Sequence, residues 1–189
     1  MKTIALFGTS ADPPTIAHQK ILSWLGDRFD LVAVWAADNP YKKEQTSLDD
    51  RMEMLRLSIV AIKSPKNNLR LYPELSDRRT LNTIDRAKQI WSDRLEYTLV
   101  IGADLVGQIC QWYRPEEIFK SIELLIIPRS DYQIAERDLQ AIEKLGGKWS
   151  ISPLDTPNVS SSNYRSQKNN NNISPSVAAY IQQKRLYYY

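Results

Sequence analysis

Residues 3 to 19 read TIALFGTSADPPTIAHQ. Thr3 to Phe7 is a short run without strict polar alternation, the pattern of a strand covered on both faces. Gly8 follows at once, and beyond it a helix opens, with Pro14 suited to a first turn where a missing N–H costs nothing. The stretch is therefore strand, loop and helix, the opening unit of an α/β fold.

The same alternation repeats along the chain. Further strands are predicted at Leu31–Ala36, Leu69–Tyr72, Tyr97–Ile101, Glu123–Ile127 and Lys148–Ile151. LVAVWA, TLVI and ELLII are apolar on both faces, the signature of a parallel sheet. Between strands, Leu48, Met52, Leu55, Ile59 and Ile62 step along one helical face. Ser47 stands three before Asp50 in a loose capping-box arrangement. Leu81, Ile84, Lys88 and Trp91 mark another helix with Thr80 as its cap. Leu139, Ile142 and Leu145 mark a third, which Gly146–Gly147 would end. The asparagine-rich QKNNNN, Gln167 to Asn172, reads as a solvated loop before a last helix from Pro175 to Leu186. Tyr187–Tyr189 form either a tail or a small packing patch.

This β-α-β-α rhythm predicts a Rossmann-like open, mainly parallel sheet with helices on both faces. One domain would span residues 1–189. An α/β core occupies 1–152, and a carboxy-terminal segment, 153–189, carries SSSNYR, the asparagine-rich loop and the last helix. Ligands in such sheets bind at the carboxyl ends of the strands near the switch point. That points to the loops after Phe7, Ala36 and Ile101.

Composition narrows the function classes. The 189 residues are 42% hydrophobic and 25% charged, which excludes a wholly disordered chain. The one cysteine, Cys110, excludes a disulfide scaffold and points to the cytoplasm. No apolar run approaches the ~20 residues of a membrane helix, and Ile4–Phe7 is too short for a signal peptide. A net charge of +3 is thinly spread, with cations clustered only at Lys42–Lys43, Arg78–Arg79 and Lys184–Arg185. Neither nucleic acid nor a membrane is an expected partner.

Two stretches carry chemistry. In the first, Gly8 to Gln19, Gly8 would let the chain turn sharply and a ligand approach closely. The helix beyond points its free N–H groups at the loop. Thr15 and His18, three apart, share a face near that end. The result is a donor-rich cradle for an anion such as phosphate, without the spacing of a Walker loop or of GxGxxG. A plainer alternative for His18 is a satisfied histidine at a helix start. In the second, VSSSNYRS from Val159 to Ser166, serine hydroxyls and helix-start amides suit phosphate oxygens, and Arg165 adds a charged fork. Here the plainer alternative is a serine cap with a surface arginine.

Together the two stretches resemble the nucleotidyltransferase superfamily marked by (H/T)xGH near the start and ISSTxxR near the end. They stand here as TIAH, Thr15 to His18, and VSSSNYR, Val159 to Arg165. From about residue 2 to 186 the chain resembles the bacterial nicotinate-nucleotide adenylyltransferase family. Gly8-Thr9-Ser10-Ala11-Asp12-Pro13 is similar to its GGTFDP loop. Thr80-Leu81-Asn82-Thr83-Ile84 is similar to its TxxTL segment, Ile101-Gly102-Ala103-Asp104 to its GxD loop, and Trp112–Tyr113 to its WY pair. Tyr41-Lys42-Lys43 and Asp50–Arg51 fall where the family has a basic loop and an arginine-starting helix. Departures are Thr15 for the first motif histidine, Ala17 for the motif glycine, Ala11 for the loop phenylalanine, and Arg78–Arg79 for a serine and a tyrosine.

The resemblance implies a nucleotidyltransferase-type fold and an adenylyl transfer from ATP to nicotinate mononucleotide, giving deamido-NAD and pyrophosphate in NAD biosynthesis. It implies His18, Thr15 and Arg165 as catalytic residues. ATP would meet Gly8, Thr9, Ser10, His18, Gly102, Asp104, Ser161, Ser162 and Arg165. The acceptor would meet Lys42, Thr80, Thr83 and Trp112. Mg²⁺ would travel with ATP rather than occupy a protein metal site, with Asp12 a candidate for one of its waters. Alternatives are the same chemistry on nicotinamide mononucleotide or pantetheine phosphate, and a non-catalytic nucleotide-sensing module on the same fold.

Overall fold

A computed structural model describes residues 2–38 and 45–188. The strands are β1 (Thr3–Thr9), β2 (Leu31–Ala36), β3 (Leu69–Leu71), β4 (Glu96–Gly102), β5 (Glu123–Ile127) and β6 (Trp149–Ile151). All pair in parallel, in the order β3-β2-β1-β4-β5-β6. Each predicted strand is present to within about two residues at either end. The α-helices are α1 (Ile16–Arg28), α2 (Leu48–Val60), α3 (Thr80–Trp91), α4 (Val106–Ile109), α5 (Pro115–Ser121), α6 (Glu136–Lys144), α7 (Ser161–Gln167) and α8 (Pro175–Lys184). No described helix is long and apolar enough to cross a membrane.

The two-residue period of β1 divides the core. Ile4 and Leu6 join Leu99, Ile101, Leu124 and Ile126 under Ile84 of α3, Ile118 of α5 and Ile142 of α6. Ala5 and Phe7 join Val32, Val34, Val100 and Leu125 under Leu22 and Leu25 of α1 and Leu55 of α2. Both faces are covered, which is why the strands lack alternation. Full burial of each such large side chain contributes about 1.5–3 kcal/mol. A third, smaller cluster of Met54, Tyr164, Ile173, Val177, Ile181 and Tyr187 binds α7, α8 and the residues after α8 to α2.

Several helix ends differ from expectation. Pro14 precedes the N-cap Thr15 and so lies outside the first turn of α1. Thr80 is the first residue of α3, and Arg79 is the N-cap. Ile62 lies past the end of α2 at Val60, although the Ser47 cap on the Asp50 N–H forms at 3.1 Å. Gly146, at φ 83°, ends α6 as expected, with its N–H on the Glu143 carbonyl. The last helix stops at Lys184 instead of Leu186. Arg185 turns the chain at φ 52° and brings Tyr187 back into the protein. The asparagine-rich stretch is shorter as a loop than expected, since Gln167 closes α7 and Asn170–Asn172 form a 3-10 turn.

Strand order reverses at β1, which pairs β2 on one side and β4 on the other. The crevice of an open sheet lies at such a point, outside the carboxyl ends of the two strands. Here those ends are Thr9 and Gly102.

Candidate active site

The loop from Ser10 to Thr15 leaves the end of β1 and folds inward, so that Ala11, Asp12 and Thr15 are buried. The turn itself falls at Ala11, φ 48°. Gly8 does not make it. Gly8 lies within β1 beside Trp35, and a Cβ there would stand 2.5 Å from the indole. Its lack of a side chain lets Trp35 cross the strand, a packing role rather than the turn expected of it.

Thr15 and His18 form a capping box at the start of α1, with histidine in the place usually held by Glu or Gln. The Thr15 main-chain N–H donates to His18 Nδ1 at 3.0 Å, and the Thr15 hydroxyl lies 2.9 Å from the same nitrogen. An N–H can only donate, so Nδ1 accepts and the neutral ring carries its proton on Nε2. Nε2 in turn meets the Thr9 hydroxyl at 3.1 Å. Thr15 is fully buried. It therefore orients His18.

The carboxy-terminal motif docks on this same loop. Ser160 caps α7 by accepting from the Asn163 N–H at 3.1 Å. Ser161 Oγ donates to the Pro13 carbonyl at 2.8 Å. Arg165 Nη1 donates to the Asp12 carbonyl at 2.6 Å, and Nη2 reaches Ser162 Oγ at 3.4 Å. Two motifs that lie at opposite ends of the sequence thus meet at Asp12–Pro13. The hydroxyl of Ser161 is engaged in clasping the loop, while Ser162 is exposed beside the guanidinium.

Across the crevice, Gly102 opens the 3-10 turn Ala103–Leu105 after β4. The half-buried Asp104 carboxylate folds back over Gly102, and its Oδ1 stands 3.6 Å from Arg129 Nη1. It does not cap the turn. Beyond Arg129, a pocket of about 300 Å³ opens at the carboxyl ends of β5 and β6, walled by Pro128, Arg129, Ser152, Leu154 and Thr156.

The expected acceptor residues divide. Trp112 is half-buried against the core, and the neighbouring Tyr113 is exposed with the Arg79 guanidinium 4.2 Å over its ring. Arg78 pairs with Asp38 at 3.0 Å. Thr80 is half-buried at the start of α3. Thr83 is buried and donates to the Leu75 carbonyl at 2.9 Å. That hydroxyl ties the start of α3 to the turn before it. Lys42, with Tyr41 and Lys43, lies outside the described residues.

Arg51, Asp12 and Tyr187 were not read as a framework from sequence. Arg51 is 3% exposed and donates to three carbonyls, of Thr46, Ser10 and Ala37, at 2.9, 3.1 and 2.8 Å. It ties the loops after β1 and β2 to the start of α2. Burial lowers its pKa, and the Asp12 and Asp38 charges oppose that shift. Its signal was its position, since Arg51 shares a buried helix stripe with Met54, Leu55 and Ser58. Asp12 is buried, with Oδ1 taking the Tyr187 hydroxyl at 2.7 Å and Oδ2 the Thr46 N–H at 3.4 Å. Each oxygen thus has a protein donor. Among the described residues no group of three or more His, Cys, Asp or Glu is arranged to hold a metal ion.

Similar proteins show the family. A family model described as Cytidylyltransferase-like matches residues 6–167. A probable nicotinate-nucleotide adenylyltransferase from Synechocystis sp. is 44% identical, covering 97% of this chain and 98% of the relative. The chain belongs to the nicotinate-nucleotide adenylyltransferase family, within the cytidylyltransferase-like proteins. A probable member from Caldicellulosiruptor bescii is 30% identical, covering 97% of this chain and 98% of its own. The fold is shared with a solved structure of Plasmodium falciparum nicotinic acid mononucleotide adenylyltransferase complexed with NaAD, at a TM-score of 0.82 and 22% identity. That likeness covers 99% of this chain and 98% of the other.

Proposed function

We propose that this family member transfers the adenylyl group of ATP to nicotinate mononucleotide, in the cytoplasm, as a step of NAD biosynthesis. One observation carries the reading. Arg165 is seated on the Asp12 carbonyl and Ser161 on the Pro13 carbonyl of the loop that also leads into His18. Cation, hydroxyls and imidazole are therefore tied to one loop, the one that leaves β1 at the switch point. The family's naming after the nicotinate acceptor supports the choice of acceptor.

The chemistry is a displacement at phosphorus. An oxygen of the acceptor 5′-phosphate bonds to the α-phosphorus of ATP, and the bond from that phosphorus to the pyrophosphate oxygen breaks. Pyrophosphate leaves with the electron pair, and deamido-NAD is the other product. No protein nucleophile is required, so rate comes from positioning and charge stabilisation. His18, held by Thr15, presents Nε2–H toward the phosphates beside Thr9. Arg165, with Ser162 alongside, takes the β- and γ-phosphates. Removing one such donor commonly costs about 3 kcal/mol in the transition state. ATP would bring its own Mg²⁺ as part of the substrate, and that ion would supply neutralisation of phosphate charge. The Gly102–Asp104 turn and the pocket beyond Arg129 offer ribose acceptors and a place for the base. Trp112, Thr80 and Lys42 are assigned to the acceptor side.

The test is pyrophosphate release from ATP and Mg²⁺ with, separately, nicotinate mononucleotide, nicotinamide mononucleotide and pantetheine phosphate. Release with the nicotinate acceptor, lost in His18→Ala, is the expected result. Release with another acceptor alone would move the reaction to that acceptor. ATP binding without release would leave a nucleotide sensor.

A further inference from the structure

We propose that Tyr187, beyond the last helix, is a positioning residue for the ATP site, keeping the Asp12 carboxylate from capturing Arg165. The proposal rests on the assignment of Arg165 to the ATP phosphates given above.

Tyr187 is 5% exposed, at the end of a chain reversal that places Arg185 and Tyr187 at φ 52° and 63°. Non-glycine residues hold such conformations where surrounding contacts over-determine them. The contacts here point at the active-site loop. The phenol donates to Asp12 Oδ1 at 2.7 Å, and its ring meets Tyr164 edge-on at 6.1 Å and 79°. Tyr164 immediately precedes Arg165. Tyr187 thus touches Asp12 on the β1–α1 loop and, on α7, the residue next to Arg165.

The charge arrangement says what the contact does. Asp12 is a buried carboxylate, and a buried carboxylate needs donors. Among the described residues, Tyr187 is the donor to Oδ1, while the Thr46 N–H serves Oδ2. Arg165 Nη1 stands 3.9 Å from Oδ2, close enough for attraction but seated instead on the Asp12 main-chain carbonyl at 2.6 Å. Burial, and then the hydrogen bond to Asp12 and its charge, push the phenol's pKa up, against the opposing pull of Thr46 and Arg165, which agrees with the phenol acting as the donor. Without that hydroxyl, Asp12 has one donor fewer, and the nearest cation to satisfy it is Arg165. A guanidinium drawn onto Asp12 is partly neutralised and turned away from the phosphates. The residues after α8 therefore tune the phosphate site from behind, without touching a ligand.

The test is equilibrium binding of ATP with Mg²⁺ by calorimetry, on the full chain. Tyr187→Phe keeps the ring and its contact with Tyr164 and removes only the hydroxyl. ATP binding is expected to weaken about tenfold. In an Arg165→Ala background the same change should cost less than about twofold, because the effect passes through Arg165. Asp12→Asn removes the charge that competes for Arg165. Tyr187→Phe added to Asp12→Asn should bind ATP within about twofold of Asp12→Asn alone, and this pair keeps the test open if Tyr187→Phe alone does not fold. A Tyr187→Phe protein with lowered Tm and unchanged ATP affinity would overturn the proposal, as would an equal loss with and without Arg165. The measurement needs no acceptor. A chain that binds ATP but turns over none of the three acceptors would sink the adenylyl-transfer reading while leaving this result interpretable.

Discussion

The main-chain N–H of Thr15 donates to Nδ1 of His18 at 3.0 Å, which assigns the imidazole proton to Nε2, the nitrogen that faces Thr9. One residue thereby has two tasks, capping α1 and presenting a donor at the switch point. His18→Ala removes both. The expected outcome is a fall of about a hundredfold in kcat, with a loss of stability of about 1 kcal/mol from the missing cap. Steady-state kinetics and thermal unfolding separate the two effects. His18→Gln, a side chain suited to the same capping position, should retain most of the stability and little of the rate.

Gly8 packs against Trp35 and is no hinge. A methyl placed there would stand 2.5 Å from the indole. Gly8→Ala is therefore expected to overpack the β1–β2 seam and cost about 1–3 kcal/mol. Pairing it with Trp35→Phe, which withdraws the offending ring edge, should recover part of that loss. Unfolding in urea of the two single variants and the double variant measures the coupling.

Strand positions were legible because continuous apolar runs such as Leu31–Ala36 and Glu123–Ile127 have one physical use in an α/β chain, burial between two helical layers. The meeting of TIAH and SSSNYR was legible only through family likeness, since nothing local brings Arg165 to a residue far back in the sequence. Polar residues with interior duties were the hardest to read. Thr83 bonds the Leu75 carbonyl in the turn before its helix, and Arg51 bonds three carbonyls, one of them, on Ser10, far back in the chain. The reversal that buries Tyr187 depends on Arg185 adopting a left-handed conformation that its residue type does not announce.

Arg51 is the larger structural dependence. Its guanidinium donates to the Thr46, Ser10 and Ala37 carbonyls from a buried position. Arg51→Met keeps much of the volume and leaves those carbonyls, and the nearby Asp12 charge, without that partner. The expected cost is about 3–5 kcal/mol. At about 2–4 °C per kcal/mol for a domain of this size, Tm should fall by roughly 6–20 °C. Lysine should rescue only part of this, since it lacks the fork that serves separate acceptors. Differential scanning calorimetry of the two variants decides the matter.

The pairing of α2 with α8 gives a dependence on pH at both extremes. Tyr180 donates to Asp50 Oδ1 at 2.8 Å. The Ser47 hydroxyl, first, and then Tyr180 hold the Asp50 carboxyl below its ordinary range, against the opposing effect of burial. A carboxyl with a depressed folded pKa contributes stability that is present above its unfolded value, about 4. That contribution is lost as pH falls through the folded value. The phenol of Tyr180 is pushed up to about 12, by burial and then by Asp50. A raised folded pKa contributes stability that is fully present below the unfolded value of about 10 and is lost as pH rises through the folded one. Tyr180→Phe should therefore flatten the decline of Tm between pH 10 and 12 and reduce the acid-side loss as well. Asp50→Asn should abolish the acid-side loss from this site and, by removing a charge that opposes phenol ionisation, also weaken the alkaline one. Tm measured from pH 3 to 12 for wild type and both variants tests the pair. Identical acid and alkaline profiles in all three proteins would mean that the α2–α8 contact is held by the apolar cluster around Met54, Val177 and Ile181 alone.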